Sequence, residues 1–282
     1  MNQRLTIPLT NLQRESESVL ELKDARIVPF SLVDNKVASI VTKIFRTAPP
    51  FYFETAVNSD IRVAFDRVLI AFKLFKNEPL LARVFFIDGE VHEFQEYIYY
   101  VGPARRTTPL YHLTLDEETR FKQFWEHHRT INSSNFAVYR FHLADYGPYL
   151  RSSFVNYVES LEYLLVPDSD EGEISYKFRS RGAIILGINE SPEAKKNIFQ
   201  RLKWEYSLRS AIVHGNDESE PMQRLSKLSG SDLGWDDALS LVRNDSRLTI
   251  RYFFREGCLD DRSKRRELLE TRLIFEFARG ND

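Results

Sequence analysis

The chain has 282 residues, of which 43% are hydrophobic and 28% are charged, and its formal net charge is −2. This balance is typical of a globular protein and argues against intrinsic disorder. The near-neutral charge excludes nucleic-acid binding through a bulk basic field, so any such binding must use a local patch.

The cysteine content and the hydropathy pattern restrict the compartment. The single cysteine, Cys258, excludes an intrachain disulfide and a multi-cysteine metal site, which fits a reducing compartment. No uncharged apolar run approaches the roughly 18 residues that a membrane span needs. The N-terminal segment MNQRLTIPLTNLQRE has no apolar signal core. We therefore expect a soluble, cytoplasmic protein without a membrane partner.

The first 110 residues combine strand and helix patterns. Alternating apolar residues predict a half-buried strand at Leu5, Ile7 and Leu9. Residues 60–76 carry apolar side chains at helical spacing, behind Asp60 as a candidate N-cap. The dipeptide Asp88-Gly89 separates two apolar runs and indicates a β-hairpin.

The character of the sequence changes after residue 114. Thr114 and Glu117 have capping-box spacing and predict the start of a helix that runs to about Arg129. The polar stretch TINSSN follows, and we place the domain boundary there. The prediction is an α+β fold with a mixed α/β domain at residues 1–133 and an all-helical bundle at residues 134–282.

The second half contains successive helix patterns with clear stop and start signals. The first short helix spans 135–146, and the next ends at Pro167. The core stripe of that second helix consists of Phe154, Val158, Leu161 and Leu165. The following helix carries a stripe of Ile174, Phe178, Arg181 and Ile185, which places an arginine among apolar residues.

The longest predicted helix begins at Ser191-Pro192-Glu193, which combines an N-cap, a proline at the first position and an acid in the first turn. It ends at Val213 or His214, before Gly215. Residues 215–234 are polar and predict a loop, and helices at 235–256 and 262–279 close the chain.

The segment LKWEYSLRSAIVHGN, residues 202–216, resembles the Apea-like branch of the HEPN families. In that branch a helix ends in a Tyr-x2-Arg-Ser-x-Ile-Val-His-Gly motif. Residues 159–165 (ESLEYLL) resemble its acidic and leucine-rich helix, and Arg181 lies in a segment similar to its arginine-bearing second helix. The resemblance covers roughly residues 135–280, and the bundle is accordingly expected to be HEPN-like.

The resemblance implies metal-independent RNA cleavage by paired domains, without a cofactor. His214 is then the acid or base, and Arg209 clamps the phosphate. Since one histidine does not easily serve as both acid and base, the resemblance implies a homodimer with a composite site. It also implies a prokaryotic toxin or anti-phage effector, with a regulatory protein as a further partner.

The same residues also allow a structural interpretation. Glu205 precedes Arg209 by four residues, so an ordinary helical ion pair explains the arginine. The helix dipole alone favours a histidine at the position of His214. Under that alternative the bundle is a non-catalytic dimerisation module, an antitoxin-like protein or a sensor subunit. Three other Arg/His pairs in the chain also have between four and six intervening residues, so the pattern alone does not decide.

Several neighbouring residues are candidate supports for the site. Tyr206, Ser210 and Asn216 belong to the matching segment, and Ser210 stands where HEPN enzymes carry a larger polar residue. Arg181 and Glu162 are expected to form a buried ion pair between two helices. Two apolar stripes on the helix at 192–214 favour contacts with its own bundle and with a second chain. They are Ile198, Leu202, Tyr206 and Val213 on one side, and Trp204, Leu208 and Ala211 on the other.

A basic ridge is predicted on the helix at 235–256. Arg243, Arg247 and Arg251, followed by Arg255, recur every fourth residue and could track phosphates as a weak RNA-binding surface. The alternative is a solvated charged face. No metal site is expected, because the adjacent pair His127-His128 points in two directions on a helix.

Overall fold

A computed structural model describes residues 3–45, 48–57, 60–78, 82, 84–93, 110–146, 149–167, 173–230 and 232–279. The chain divides into two compact units, Met1–Ser133 and Ser134–Asp282, and the division falls within TINSSN. The α+β prediction is confirmed, since the first unit contains an antiparallel sheet and the described part of the second is helical.

The described residues of the first unit form two sheets and three α-helices. The strands are β1 (Gln3–Leu9), β2 (Leu12–Arg14), β3 (Leu20–Leu22), β4 (Ala25–Pro29), β5 (Phe51–Val57), β6 (Val84–Ile87), β7 (Glu90–Glu93) and β8 (Tyr111–Leu113). The helices are α1 (Asn35–Ile44), α2 (Ile61–Phe75) and α3 (Leu115–His128). The larger sheet has the order β3-β4-β5-β1-β6-β7 with antiparallel neighbours, and β2 pairs with β8 in parallel.

Strand β1 lies inside the sheet and is covered on both faces. Thr6 is buried together with the predicted apolar residues Leu5, Ile7 and Leu9, so the expectation of a half-buried strand is wrong. The reason is that α1 packs its valines near Tyr52 on one face. Elsewhere in the core, Phe53 of β5 contacts Trp125 of α3, with ring centroids 5.1 Å apart.

The local signals of the first unit are confirmed. Asp60 caps α2 by accepting a hydrogen bond from the backbone N–H of Arg62 at 2.8 Å. Thr114 and Glu117 form both bonds of the capping box at the start of α3. Asp88 and Gly89 have φ angles of 49° and 82°, the left-handed conformation that a tight turn between β6 and β7 requires.

The second unit is built from helices throughout its described residues. They are α4 (Phe136–Ala144), α5 (Leu150–Leu165), α6 (Ile174–Leu186), α7 (Pro192–His214), α8 (Ser219–Ser229), α9 (Trp235–Arg255) and α10 (Arg262–Arg279). Helix α8 occupies the segment predicted as a loop, and that prediction is wrong. Asp217 accepts a hydrogen bond from the Ser219 N–H at 2.9 Å, and Leu225 is buried, so a polar sequence still forms a packed helix.

Helix α5 is the central helix of this unit, and its predicted core stripe is fully buried. Ser160 donates to the carbonyl of Ala137 in α4 at 2.8 Å, and Ser246 of α9 donates to the carbonyl of Tyr157 at 2.9 Å. Helices α6 and α7 approach closely at Gly182, where a Cβ atom would lie 2.5 Å from Cδ1 of Leu202. Through this packing α7, which carries the candidate site residues, lies against α5.

Candidate functional site

Helix α7 has the limits that its capping residues dictate. The Ser191 side chain accepts a hydrogen bond from the N–H of Ala194 at 3.2 Å, and Pro192 stands at the first helical position. Gly215 ends the helix with a φ of 68°, and the N–H of Asn216 closes the last turn on the carbonyl of Ala211 at 2.8 Å. His214 is therefore the last residue of the helix, as predicted.

The buried face of α7 differs from the two predicted stripes. Leu202, Leu208 and Ala211 are buried together with Glu205. Val213, predicted to belong to the first stripe, is 49% exposed. A helix turns by about 100° per residue, so a spacing of three shifts each of these buried residues by about 60°, and the buried side winds around α7 from Leu202 to Ala211.

Arg209 extends from α7 toward α5. Its side chain is 21% exposed, and Nη2 lies 3.7 Å from Oε1 of Glu159 and 3.9 Å from Oε2 of Glu162. These distances give electrostatic attraction without hydrogen bonds, and the buried Nε has no hydrogen-bond partner. Glu205, the partner that spacing suggested, instead binds Arg201 at 3.0 Å.

The acidic residues around Arg209 form a neutral cluster with a second arginine. Nη2 of Arg140 on α4 lies 3.0 Å from Oε2 of Glu159, so Glu159 bridges Arg140 and Arg209. Burial raises the pKa of Glu162, with Arg209 opposing and Glu159 adding to the shift. The pKa of Tyr206 is raised by burial and by Glu162, against the effect of Arg209. The charge of Arg209 is thus already balanced within the bundle.

Arg181 is buried, as predicted, but the predicted pair with Glu162 is wrong. The side chain is 5% exposed, and Nη1 donates to the carbonyl of Leu165 at 3.0 Å. Leu165 ends α5, where carbonyls lack partners within their own helix. Arg181 therefore satisfies the end of α5, while Glu162 faces Arg209.

His214 lies on the outward face of α7 and is exposed. It is five residues from Arg209, so the two side chains leave the helix about 140° apart. Ser210, one turn earlier, is partly exposed, and Asn216 is exposed beyond the helix end. A single chain does not direct Arg209 and His214 toward one point.

The predicted basic ridge on α9 is wrong at its first member. Arg243 is buried, where it bonds the Tyr157 hydroxyl at 2.9 Å and pairs with Asp145 at 3.2 Å. Arg247 donates to the side-chain oxygen of Asn244 at 2.8 Å. Burial lowers the pKa of Arg251, and the nearby Arg255 adds to the effect. The predicted ridge is not a continuous exposed surface, because the side of α9 that carries these arginines is partly buried in the bundle.

A buried ionic cluster between α7 and α9 was not predicted from the sequence. Arg201 donates to Glu205 at 3.0 Å and binds both carboxylate oxygens of Asp245, one of them at 3.1 Å. Burial raises the pKa of Glu205 to about 7, with Arg201 opposing and Asp245 adding to the shift. The spacing in the sequence could have indicated that Glu205 is buried, because it lies midway between Leu202 and Leu208, which are both buried.

None of the described helices is long and apolar enough to cross a membrane. Within the same residues, no group of three or more His, Cys, Asp or Glu side chains is arranged to hold a metal ion. Comparison of the chain with protein-family models, curated proteins and solved structures found no match. The HEPN resemblance stays a prediction.

Proposed function

We propose that the helical unit is a HEPN-type, metal-independent endoribonuclease that acts as a homodimer in the cytoplasm. The observation that carries the proposal is the position of His214, which is exposed at the end of α7 beside the partly exposed Ser210. None of the described residues forms a hydrogen bond or ion pair with this exposed imidazole, so a substrate can reach it.

The chemistry needs only groups that α7 supplies. One imidazole removes the proton of a ribose 2′-hydroxyl, whose oxygen then attacks the adjacent phosphorus. The bond from phosphorus to the 5′-oxygen breaks, and a second histidine, in its imidazolium form, donates a proton to that leaving oxygen and becomes a neutral imidazole. The products are a 2′,3′-cyclic phosphate and a 5′-hydroxyl. An arginine stabilises the negative charge on the phosphate oxygens during transfer.

The geometry of α7 favours a site that is shared between two chains. Arg209 and His214 leave the helix about 140° apart, so one copy does not direct both at the same phosphate. Two copies related by a two-fold axis provide two imidazoles, and Arg209 of one chain can serve His214 of the other. Val213, 49% exposed beside His214, offers an apolar contact for the second copy.

The test is cleavage of labelled RNA in EDTA. We expect the wild-type protein to cleave and His214→Ala to be inactive, with unchanged helical content and dimerisation. His127→Ala is the matched control, because His127 is also an exposed histidine in the last turn of a helix. Arg209→Ala should reduce the rate by about 10²–10³. Arg266→Ala, an exposed arginine paired with Glu270, should not.

One observation favours a second candidate, a non-catalytic binding module or sensor subunit. The guanidinium of Arg209 is already balanced by Glu159 and Glu162, as a structural arginine would be. Under this alternative, the wild-type protein leaves RNA intact in EDTA, and sedimentation shows whether the bundle still dimerises. If the protein is catalytic, it fits the role of a prokaryotic toxin or anti-phage effector that a partner protein controls. If it is a non-catalytic module, it fits the role of the partner that controls such an effector.

A further inference from the structure

We infer that the outward face of α7, together with Tyr176 and Arg179 of α6, binds single-stranded RNA and leads it to His214. The inference deepens the proposed function and rests on it for the role of His214. Its basis is a surface that combines unpaired cations with aromatic rings, the two groups that hold single-stranded nucleic acid.

The outward face of α7 carries two lysines and ends in a histidine. Lys196, Lys203, Ser207, Ser210 and His214 project within about 60° of one another at 100° per residue. These side chains are partly or fully exposed. Between Ala194 and His214 the only acidic residue is Glu205, which is 1% exposed and bound to Arg201. Beyond Glu193 in its first turn, the helix therefore presents no exposed carboxylate to an approaching phosphate.

Aromatic rings and cations alternate at the start of this face. The guanidinium carbon of Arg179 lies 4.8 Å from the ring centroid of Phe199 and 5.8 Å from that of Tyr176. The Tyr176 ring is edge-on to Phe199 at 6.2 Å, and Tyr176 is 47% exposed. Base rings stack on exposed tyrosine rings and on guanidinium planes with little regard to sequence.

The cations of this face are available to phosphate. Arg179 donates to the carbonyl of Ser175 at 3.1 Å, and Nζ of Lys203 lies 4.6 Å from the Trp204 ring. Neither cation pairs with a carboxylate among the described residues. Arg201 and Arg243 of the same unit are by contrast held by buried acids, whereas Arg179 and Lys203 leave their positive charge at the surface.

The dimensions suit a short strand rather than a duplex. From Lys196 to His214 the helix rises by about 27 Å, at about 1.5 Å per residue. Tyr176 and Phe199 lie at one end and the imidazole at the other, with Ser207 and Ser210 as small side chains between. Unpaired bases can reach the rings, whereas bases stacked inside a duplex cannot.

Binding is measured by fluorescence anisotropy of a labelled 12-nucleotide single-stranded RNA, in the His214→Ala background so that cleavage cannot interfere. We expect Tyr176→Ala to weaken binding by about 5- to 100-fold, the range for loss of one stacked base. Lys203→Gln should lower the slope of log K against log salt by about 0.7, as expected for one phosphate contact. The matched controls are Tyr149→Ala and Lys264→Gln, both exposed residues elsewhere in the unit.

The outcomes separate this inference from the proposed function. Unchanged affinity and salt slope in Tyr176→Ala and Lys203→Gln would overturn the inference, even if the wild-type protein cleaves RNA. Tighter binding of a duplex than of the single strand would overturn it as well. Weaker binding in Tyr176→Ala and a smaller salt slope in Lys203→Gln, with circular dichroism matching that of the controls, support the inference even if the wild-type protein cleaves nothing.

Discussion

Replacing Glu205 with glutamine removes one of two carboxylates that share the Arg201 guanidinium inside the helical unit. Glu205 and Asp245 are 1% and 3% exposed, so both acids lie where a charge is poorly solvated. Arg201 keeps its bonds to both oxygens of Asp245 when the neighbouring carboxylate becomes a neutral amide. We therefore expect Glu205→Gln to stabilise the protein at high pH.

The magnitude follows from the pKa of Glu205. Burial raises this pKa from 4.5 to about 7. Because a tenfold change in the ionisation equilibrium corresponds to about 1.4 kcal/mol, keeping the side chain ionised costs roughly 3 kcal/mol of folding free energy. Because the folded-state pKa lies above the unfolded one, the stability is fully present below pH 4.5 and is lost as the pH rises through 7. A glutamine does not ionise and avoids this loss.

Urea unfolding at pH 5 and pH 8, followed by circular dichroism and tryptophan fluorescence, measures the effect. At pH 8, Glu205→Gln should be more stable than the wild type by about 3 kcal/mol, and at pH 5 the gain should be much smaller. Glu267→Gln removes an exposed carboxylate of α10 and is the matched control. A variant that is less stable than the wild type at pH 8, or that keeps the wild-type pH dependence, would refute the reasoning.

Two further predictions concern packing and the candidate site. Gly182→Ala should destabilise by about 1–3 kcal/mol, because the added carbon overlaps Leu202. Gly234→Ala, where the nearest atom would be 3.6 Å away, should be nearly neutral in the same urea unfolding experiments. Arg209→Ala should cost about 1 kcal/mol, and more at pH 8 than at pH 5. The reason is that Glu162, whose pKa burial already raises, loses the cation that opposes the shift; an equal cost at both pH values would contradict this.

The ends of the helices could be predicted from sequence because capping is local chemistry. Ser191, Pro192 and Gly215 set the limits of α7 through bonds and backbone angles within a few residues. Helix α8 escaped prediction because its composition is polar, and its burial depends on a small apolar contact around Leu225. The hydrogen bond from the Ser219 N–H to Asp217, just before the helix, is a local signal that the loop prediction overlooked.

The partners of the charged residues could not be predicted in the same way. Arg209 faces Glu159 and Glu162 rather than Glu205, because its partner depends on how α5 and α7 are aligned. In the same alignment Glu205 forms an ion pair with Arg201, and Arg181 donates a hydrogen bond to a carbonyl at the end of α5. Spacing within one helix fixes which residues share a face, and only tertiary packing decides what that face meets.

Helix α7 separates three chemical roles on three faces. The core face holds Glu205 with Arg201, the flank holds Arg209 near α5, and the outward face ends in His214. A spacing of five residues places Arg209 and His214 on different faces, so the motif completes a site only when another surface meets the helix end. Substitutions on the core face should therefore change stability alone, whereas substitutions on the outward face should change RNA binding or cleavage alone.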